Sequence, residues 1–277
     1  MIDFITLLAA PLSACLILVG VHAYFGIHVL AREVIFVDLS LAQIAALGTA
    51  LAFLAGFPLE GEMAYLFSLA TTFVGAAIFS ITRVRNGRIS QEAIIGIVFA
   101  VSAAAGILVV DRAPHGAEHI KHMLVGSILW VNWEDVVRIG AIYSVVGLFH
   151  WVYRKPLLTI SFNEEEAIRR GLSIRLWDFL FYASFGFVIT SSVRIAGVLL
   201  VFTFLIVPAV FASLLLKSLG QRLLVAWVFG FAASALGCAL SYVADLPTGA
   251  AIVCLFGCIL LCFGLLRWLV ATMKRGA

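Results

Sequence analysis

Long apolar stretches alternate with short polar breaks along almost the whole chain. Each stretch is about as long as a helix that crosses a bilayer, roughly 20 residues. We therefore predict an all-α, polytopic integral membrane protein whose helices form one bundle. Nine spans is the prediction, with eight as the alternative. The predicted spans are residues 4–26, 34–57, 63–82, 92–110, 136–153, 176–193, 195–216, 222–243 and 248–270, with Val193 and Arg194 separating the sixth from the seventh.

Composition excludes a soluble globular enzyme. Of the 277 residues, 64% are hydrophobic and 12% are charged, whereas an ordinary soluble domain has about 25% charged residues. Nine spans leave no residues for a separate soluble domain, so we predict a single transmembrane domain over residues 1–277. The formal net charge is only +3, and the basic residues lie in short loops, which gives no support to nucleic-acid binding.

The basic residues also predict the topology. In the nine-span model, 14 of the 18 Lys and Arg residues fall on one set of alternate loops and the C-terminal tail. Because basic loops stay on the cytoplasmic side, the N-terminus is expected outside and the C-terminus in the cytoplasm. The longest cytoplasmic loop is then residues 154–175.

This loop contains a short surface helix with signals at both ends, at residues 163–171. A good N-cap precedes three acidic residues, and two basic residues precede a glycine. One interpretation is a connector lying on the membrane surface. The other is a helix that docks on a cytoplasmic partner and passes its movement to the spans. The residues of this candidate are Asn163, Glu164, Glu165, Glu166, Ala167, Arg169, Arg170 and Gly171.

The second span carries Asp38, Ser40 and Gln43 within two turns. Since an ionisable group at membrane depth is costly, these residues are candidates for a translocation path. Carboxylate and amide oxygens suit hard cations such as Mn²⁺. The alternative places Asp38 near the cytoplasmic end of the span, hydrated or paired with Arg32 or Arg83, with Gln43 in an interhelical hydrogen bond.

An extracytoplasmic loop offers a candidate metal site. Three of its histidines have i, i+4, i+7 spacing, and a glutamate lies one position off that face. On a helix, this spacing would gather three imidazoles around Zn²⁺. The alternative is that Pro114 and Gly116 interrupt the helix and leave the last two histidines at the membrane interface. The candidate ligands are His115, Glu118, His119 and His122.

Five segments together resemble the membrane subunits of ABC importers for zinc, manganese and iron. In order along the chain, the resemblance runs from about residue 30 to residue 270. Each segment alone is weak evidence for the family, but five segments in the right order and at the right spacings are specific evidence. The segments are residues 94–109 (IIGIVFAVSAAAGILV), 122–131 (HMLVGSILWV), 156–175 (PLLTISFNEEEAIRRGLSIR), 196–215 (AGVLLVFTFLIVPAVFASLL) and 245–250 (DLPTGA).

This resemblance implies a multi-pass permease of the inner (plasma) membrane that works as a homodimer in lipid. Two ATPase subunits would bind below, at the coupling helix of residues 163–171, and an extracytoplasmic metal-binding protein would bind above. The implied cargo is a divalent metal ion, zinc or manganese, with iron as a further option. ATP and Mg²⁺ would bind the partner ATPase, so this chain is expected to hold no cofactor and to be no enzyme. The absence of a P-loop sequence agrees with this expectation.

One departure from the family pattern keeps alternatives open. The family usually carries Asp and, four residues later, His in the second span, in the form Gly-Asp-Ala-x-Ser-His-Ala. Here Leu39 stands at the usual Asp and Gln43 at the usual His. Either the ion makes only transient contact with oxygen ligands, or the cargo is not a bare metal ion. An ion-coupled secondary carrier is the alternative from another class, although such carriers normally need buried charges for coupling and often show inverted repeats.

Overall fold

The computed structural model describes residues 2–58, 61–83, 89–111, 126 and 128–276. Within these ranges the chain forms α-helices and one short 3-10 helix (Ile128–Trp130), and no strand. In chain order the α-helices are α1 (Ile2–Ala31), α2 (Val37–Leu54), α3 (Glu62–Ile81), α4 (Gln91–Val110), α5 (Trp133–Val152), α6 (Arg154–Phe162), α7 (Glu164–Arg169), α8 (Ile174–Ala196), α9 (Val198–Leu215), α10 (Leu219–Ala244) and α11 (Thr248–Gly276).

Nine helices of the described chain are long and apolar enough to cross a membrane. They are α1 to α5 and α8 to α11, and they correspond in order to the predicted spans. The all-α, polytopic fold class is confirmed, and the described residues favour nine spans over eight.

The boundary between α8 and α9 differs from the prediction. Val193 and Arg194 do not separate the two spans, because α8 continues through them to Ala196. The break comes at Gly197, whose φ of 77° and ψ of 160° interrupt the helix. Glycine adopts a positive φ without the steric penalty that a Cβ would bring. The polar arginine was therefore a poorer boundary signal than the glycine three residues later.

The long loop of residues 154–175 holds two helices rather than the single one expected. The additional helix, α6, begins directly after α5 and has Pro156 in its first turn. Proline is tolerated there because the first N–H groups of a helix have no intrahelical partner. Leu157 and Ile160 are buried, and α6 packs on α1 and α8. It therefore packs against one end of the bundle, next to α7.

Two groups of spans form the bundle. In one group, α2 packs on α3 and α4, and α3 packs on α8. In the other, α1 packs on α9 and α10, which contact α11. Between the groups, the ring of Phe25 in α1 stacks on that of Phe185 in α8, with centroids 4.6 Å apart. The contact between α1 and α9 is so close that a Cβ on Gly26 would lie 1.9 Å from the backbone oxygen of Leu205.

Gly26→Ala is expected to lower the free energy of unfolding by about 1–3 kcal/mol, because the added methyl group must push α9 away. The midpoint of thermal unfolding in detergent, read from the monodisperse fraction after heating, measures this change. Gly20→Ala is the matched control in the same helix, since no atom lies within 4 Å of its added Cβ. An unchanged midpoint for Gly26→Ala would contradict the close packing of α1 on α9.

Candidate transport site and coupling surface

Asp38 and Ser40 lie buried at the start of α2, with only 2% and 0% of their surfaces exposed. Neither Asp38 Oδ1 nor Ser40 Oγ has a hydrogen-bond partner among the described residues. Gln43, the third residue of the predicted path, is half-buried further along α2. Burying a polar oxygen without a partner costs free energy. Burial of these two oxygens therefore opposes folding, and both are available to a ligand.

Asp38 does not pair with Arg32 or Arg83, so the pairing is wrong, although Asp38 does lie in the first turn of α2, at the end of the span. Both guanidinium groups bind Asp178 instead, at 2.7 Å from Arg32 and 2.5 Å from Arg83. The charged neighbour of Asp38 is Glu92 of α4. Among the described residues, the charge that acts on Asp38 is thus that of a second acid and not that of a base.

Glu92 has a role that the sequence did not predict. Helix α2 begins after Phe36, whose side chain cannot cap it, and Glu92 Oε1 accepts a hydrogen bond from the Phe36 N–H at 3.0 Å. Helix α4 has its own cap, because Ser90 Oγ accepts a bond from the Ala93 N–H. Glu92 therefore fixes the start of α2, the helix that carries the candidate path, and this contact between two helices has no signal in the sequence.

Asp178 was also not predicted from the sequence as a functional residue, although its position in the sequence gave a reason to consider it. It lies in α8 and is completely buried, and its position inside a span marks it as a costly ionisable group. Arg32 and Arg83 were predicted to be basic loop residues and possible partners of Asp38, but not partners of Asp178. Their shared carboxylate shows that they form part of the folded core at one end of the bundle.

Both ends of α7 have the geometry of a well-capped helix. Asn163 Oδ1 accepts a hydrogen bond from the Glu166 N–H at 3.1 Å. At the other end, Gly171 has a φ of 70°, and the Leu172 N–H donates to the Ala167 carbonyl at 3.0 Å. Ala167 is completely buried. A helix of this length is not stable alone, so its caps and its buried alanine hold it against α6.

The charged side chains of α7 make two kinds of contact, one within the helix and one with Arg83 at the end of α3. Glu166 binds Arg169 and Arg170, each at 2.7 Å, and the hydrogen bond from Arg170 together with the charge of Arg169 lowers the pKa of the Glu166 carboxyl. Glu164 instead reaches away from the helix to Arg83, at 2.7 Å, while Glu165 is exposed. All eight predicted coupling residues thus lie on α7 or at its ends. Their coupling role stays a prediction.

A groove of about 440 Å³ runs between α6, α7 and the turn that joins α9 to α10. Its charged side chains are mostly basic. The residues lining it are Leu158, Thr159, Phe162, Asn163, Glu166, Arg170, Lys217, Leu219 and Arg222.

The histidine loop lies outside the described residues, so the metal role of His115, Glu118, His119 and His122 stays a prediction. Among the residues that the structure does describe, no three or more His, Cys, Asp or Glu side chains form a group able to hold a metal ion.

Three other histidines are buried within the spans, and the sequence analysis did not single them out. His22 and His28 of α1 and His150 of α5 are at most 3% exposed. Each ring lies within hydrogen-bond distance of hydroxyl groups, at 2.8–3.1 Å. Hydrogen bonds between buried groups on different helices hold the helices together, so we assign His22 and His150 a structural role. His28 makes one such bond, but its Nε2 has no hydrogen-bond partner among the described residues.

Comparison with known proteins decides the family. The model described as "ABC 3 transport family" matches residues 4–266. The chain belongs to the ABC 3 transport family. It is 31% identical over 208 residues to a Haemophilus influenzae protein named "Probable iron transport system membrane protein", covering 75% of this chain and 74% of that protein. It is 30% identical over 192 residues to the Listeria innocua "Manganese transport system membrane protein MntC", covering 65% and 67%.

The fold agrees with a solved member of this architecture. A chain of "PsaBC from Streptococcus pneumoniae in complex with Fab" matches with a TM-score of 0.78 and 24% identity, covering 94% of this chain and 92% of that chain. The resemblance to permease subunits of metal ABC importers is confirmed. The ABC 3 chain is a transport permease and not an enzyme, as predicted.

Asp38→Asn is expected to raise the free energy of unfolding by about 1–3 kcal/mol, because it replaces a buried carboxylate that has no basic partner among the described residues with a neutral amide of the same shape. The thermal midpoint in detergent measures the change. The control is Asp245→Asn, at an exposed position that ends α10, where the midpoint should not move. A lower midpoint for Asp38→Asn would mean that the carboxylate contributes to folding after all.

Proposed function

We propose that this permease carries a divalent transition metal inward across the inner membrane, with Mn²⁺ or Fe²⁺ preferred to Zn²⁺. The observation that carries the proposal is the family match over residues 4–266, joined by relatives whose names specify iron and manganese transport. The chemistry of α2 supports the preference, because its polar side chains offer oxygen ligands and lack the imidazole that suits zinc.

Asp38 is the proposed central residue of the path. A carboxylate that is fully buried and has an unpaired oxygen attracts a cation strongly without enclosing it. Ser40 and Gln43 would add neutral oxygens along the same helix. An open, incomplete ligand set favours release, and a transported ion must be released.

The proposed coupling element is α7, on which the ATPase subunit would dock. Its exposed Glu165 and Arg169 face outward from the bundle, and the basic groove beside it would receive an acidic part of the partner. ATP and Mg²⁺ would act on that partner alone.

The proposed assembly has two copies of this chain, two ATPase subunits and one extracytoplasmic metal-binding protein, surrounded by lipid. Its C-terminus would lie in the cytoplasm. Support for this orientation comes from the charged residues Arg32, Arg83 and Glu164, which follow alternate spans and meet at one end of the bundle. That end would be the basic, cytoplasmic one.

The test is ATP-driven uptake of Mn²⁺, Fe²⁺ and Zn²⁺ into proteoliposomes that contain the permease with its ATPase and metal-binding partners. ATP is supplied on the side that carries α7. We expect ATP-dependent movement of Mn²⁺ or Fe²⁺ that Gly171→Arg abolishes, since an arginine at a φ of 70° is strained and adds bulk at the docking surface. If the complex hydrolyses ATP but moves none of the three ions, the proposal of a metal cargo is wrong and the proposal of an ABC assembly stands.

Asp38→Asn is expected to lower the rate of Mn²⁺ or Fe²⁺ uptake by at least about tenfold, because metal sites respond by that order to the loss of one charged contact. Uptake and ATP hydrolysis are measured on the same vesicles, and hydrolysis should persist. Asp245→Asn serves again as the control. If the Asp38→Asn variant takes up metal at the wild-type rate, Asp38 is not part of the translocation path.

A further inference from the structure

Four charged side chains form one continuous network at the cytoplasmic end of the bundle. Asp178 Oδ1 accepts a hydrogen bond from Arg32 at 2.7 Å, and Oδ2 accepts one from Arg83 at 2.5 Å. The second terminal nitrogen of Arg83 donates to Glu164 at 2.7 Å. We call these four residues the Asp178 network.

The Asp178 network is balanced in charge and graded in burial. Two acids face two bases, so no net charge is left at this depth. The side chains of Asp178 and Arg32 are 0% and 1% exposed, whereas Arg83 is 17% and Glu164 is 34% exposed. A buried ion pair keeps its geometry because breaking it leaves an uncompensated charge, while a more exposed pair is weaker. The network is thus most rigid at Asp178 and most adjustable at Glu164.

The network joins parts of the chain that are distant in sequence. Arg32 follows α1, Arg83 follows α3, Asp178 belongs to α8, and Glu164 begins α7. Arg32 also donates to Ser161 of α6 at 2.8 Å, and its guanidinium lies 3.9 Å from the centroid of the Phe181 ring in α8. Every direct ionic contact of α7 with the described spans and their ends passes through Glu164.

We infer that Asp178 is a positioning residue for transport coupling, and that Glu164 and Arg83 are the link by which movement of α7 reaches α1 and α8. This inference rests on the proposed function, because it assumes that an ATPase displaces α7. Asp178 touches neither the cargo nor the ATPase. It holds the two arginines in fixed positions, so that a shift of Glu164 moves Arg83 against α8.

The experiment measures metal ions moved per ATP hydrolysed, with Mn²⁺ as the probe, in proteoliposomes of the full complex. Glu164→Gln keeps the shape of the side chain and removes its charge. We expect the variant to assemble with the ATPase and to hydrolyse ATP, but to move at least about fivefold fewer ions per ATP, the lower end of typical coupling effects. Glu33→Gln is the matched control, since Glu33 is exposed, lies one residue after Arg32 and is outside the network.

Two results for Glu164→Gln would overturn the inference. A wild-type ratio of ions to ATP would show that the link carries no movement. Loss of the ATPase from the purified complex would make Glu164 a docking residue. If the wild-type complex moves neither Mn²⁺ nor Fe²⁺, the proposed function itself fails, and the inference falls with it. The wild-type measurement thus separates the two kinds of failure.

A double-mutant cycle tests whether Glu164 acts through Arg83. If both residues belong to one link, Glu164→Gln combined with Arg83→Gln should reduce the ratio no further than the more damaging single change. If the two substitutions together lower the ratio of ions to ATP by the product of their separate effects, the two residues act independently and the proposed link is wrong. Size-exclusion profiles and thermal midpoints of the variants confirm that folded complexes are compared.

Discussion

One end of the helix bundle of this permease depends on one buried carboxylate. Asp178 has no access to solvent, and it is stable there because two guanidinium groups use both of its oxygens. In a bilayer, a buried charge must find its partner within the protein. This requirement draws the ends of α1 and α3 onto α8, and through Glu164 it fixes α7 as well. The surface helix is therefore part of the bundle and not an appendage.

Asp38 shows the opposite solution to the same constraint. It is as deeply buried as Asp178, yet its charged neighbour is another acid and one of its oxygens has no partner. A folded protein keeps such a group only if other interactions outweigh its cost, and functional sites are where this imbalance is usually found. The carboxylate of Asp178, which is paired with two arginines, thus organises the structure. The carboxylate of Asp38, which has no such partner, is suited to a passing cation. The difference supports transport through α2 and coupling through α8.

Much of the architecture follows from local sequence signals. Apolar length predicted the spans, and the caps Asn163 and Gly171 marked both ends of α7 because capping involves only neighbouring residues. The family resemblance, which depends on motif order, was confirmed by the match over residues 4–266. Two local signals were not used. The boundary between α8 and α9 was predicted at Val193 and Arg194, whereas the helix breaks at Gly197. No helix was predicted before residue 163, although α6 begins at Arg154 and proline is tolerated in its first turn.

By itself, the sequence determined the all-α class, the spans, the capped helix in the cytoplasmic loop and the polar character of α2. Only the tertiary structure decided which charges meet. Arg32 and Arg83 were both possible partners of Asp38, and both bind Asp178, which lies 146 and 95 residues away from them. Glu92 likewise caps α2 from a distance of 56 residues. The physical reason is that helix formation and capping depend on neighbours within a turn, whereas ion pairing depends on how whole helices pack, and no local pattern records that packing.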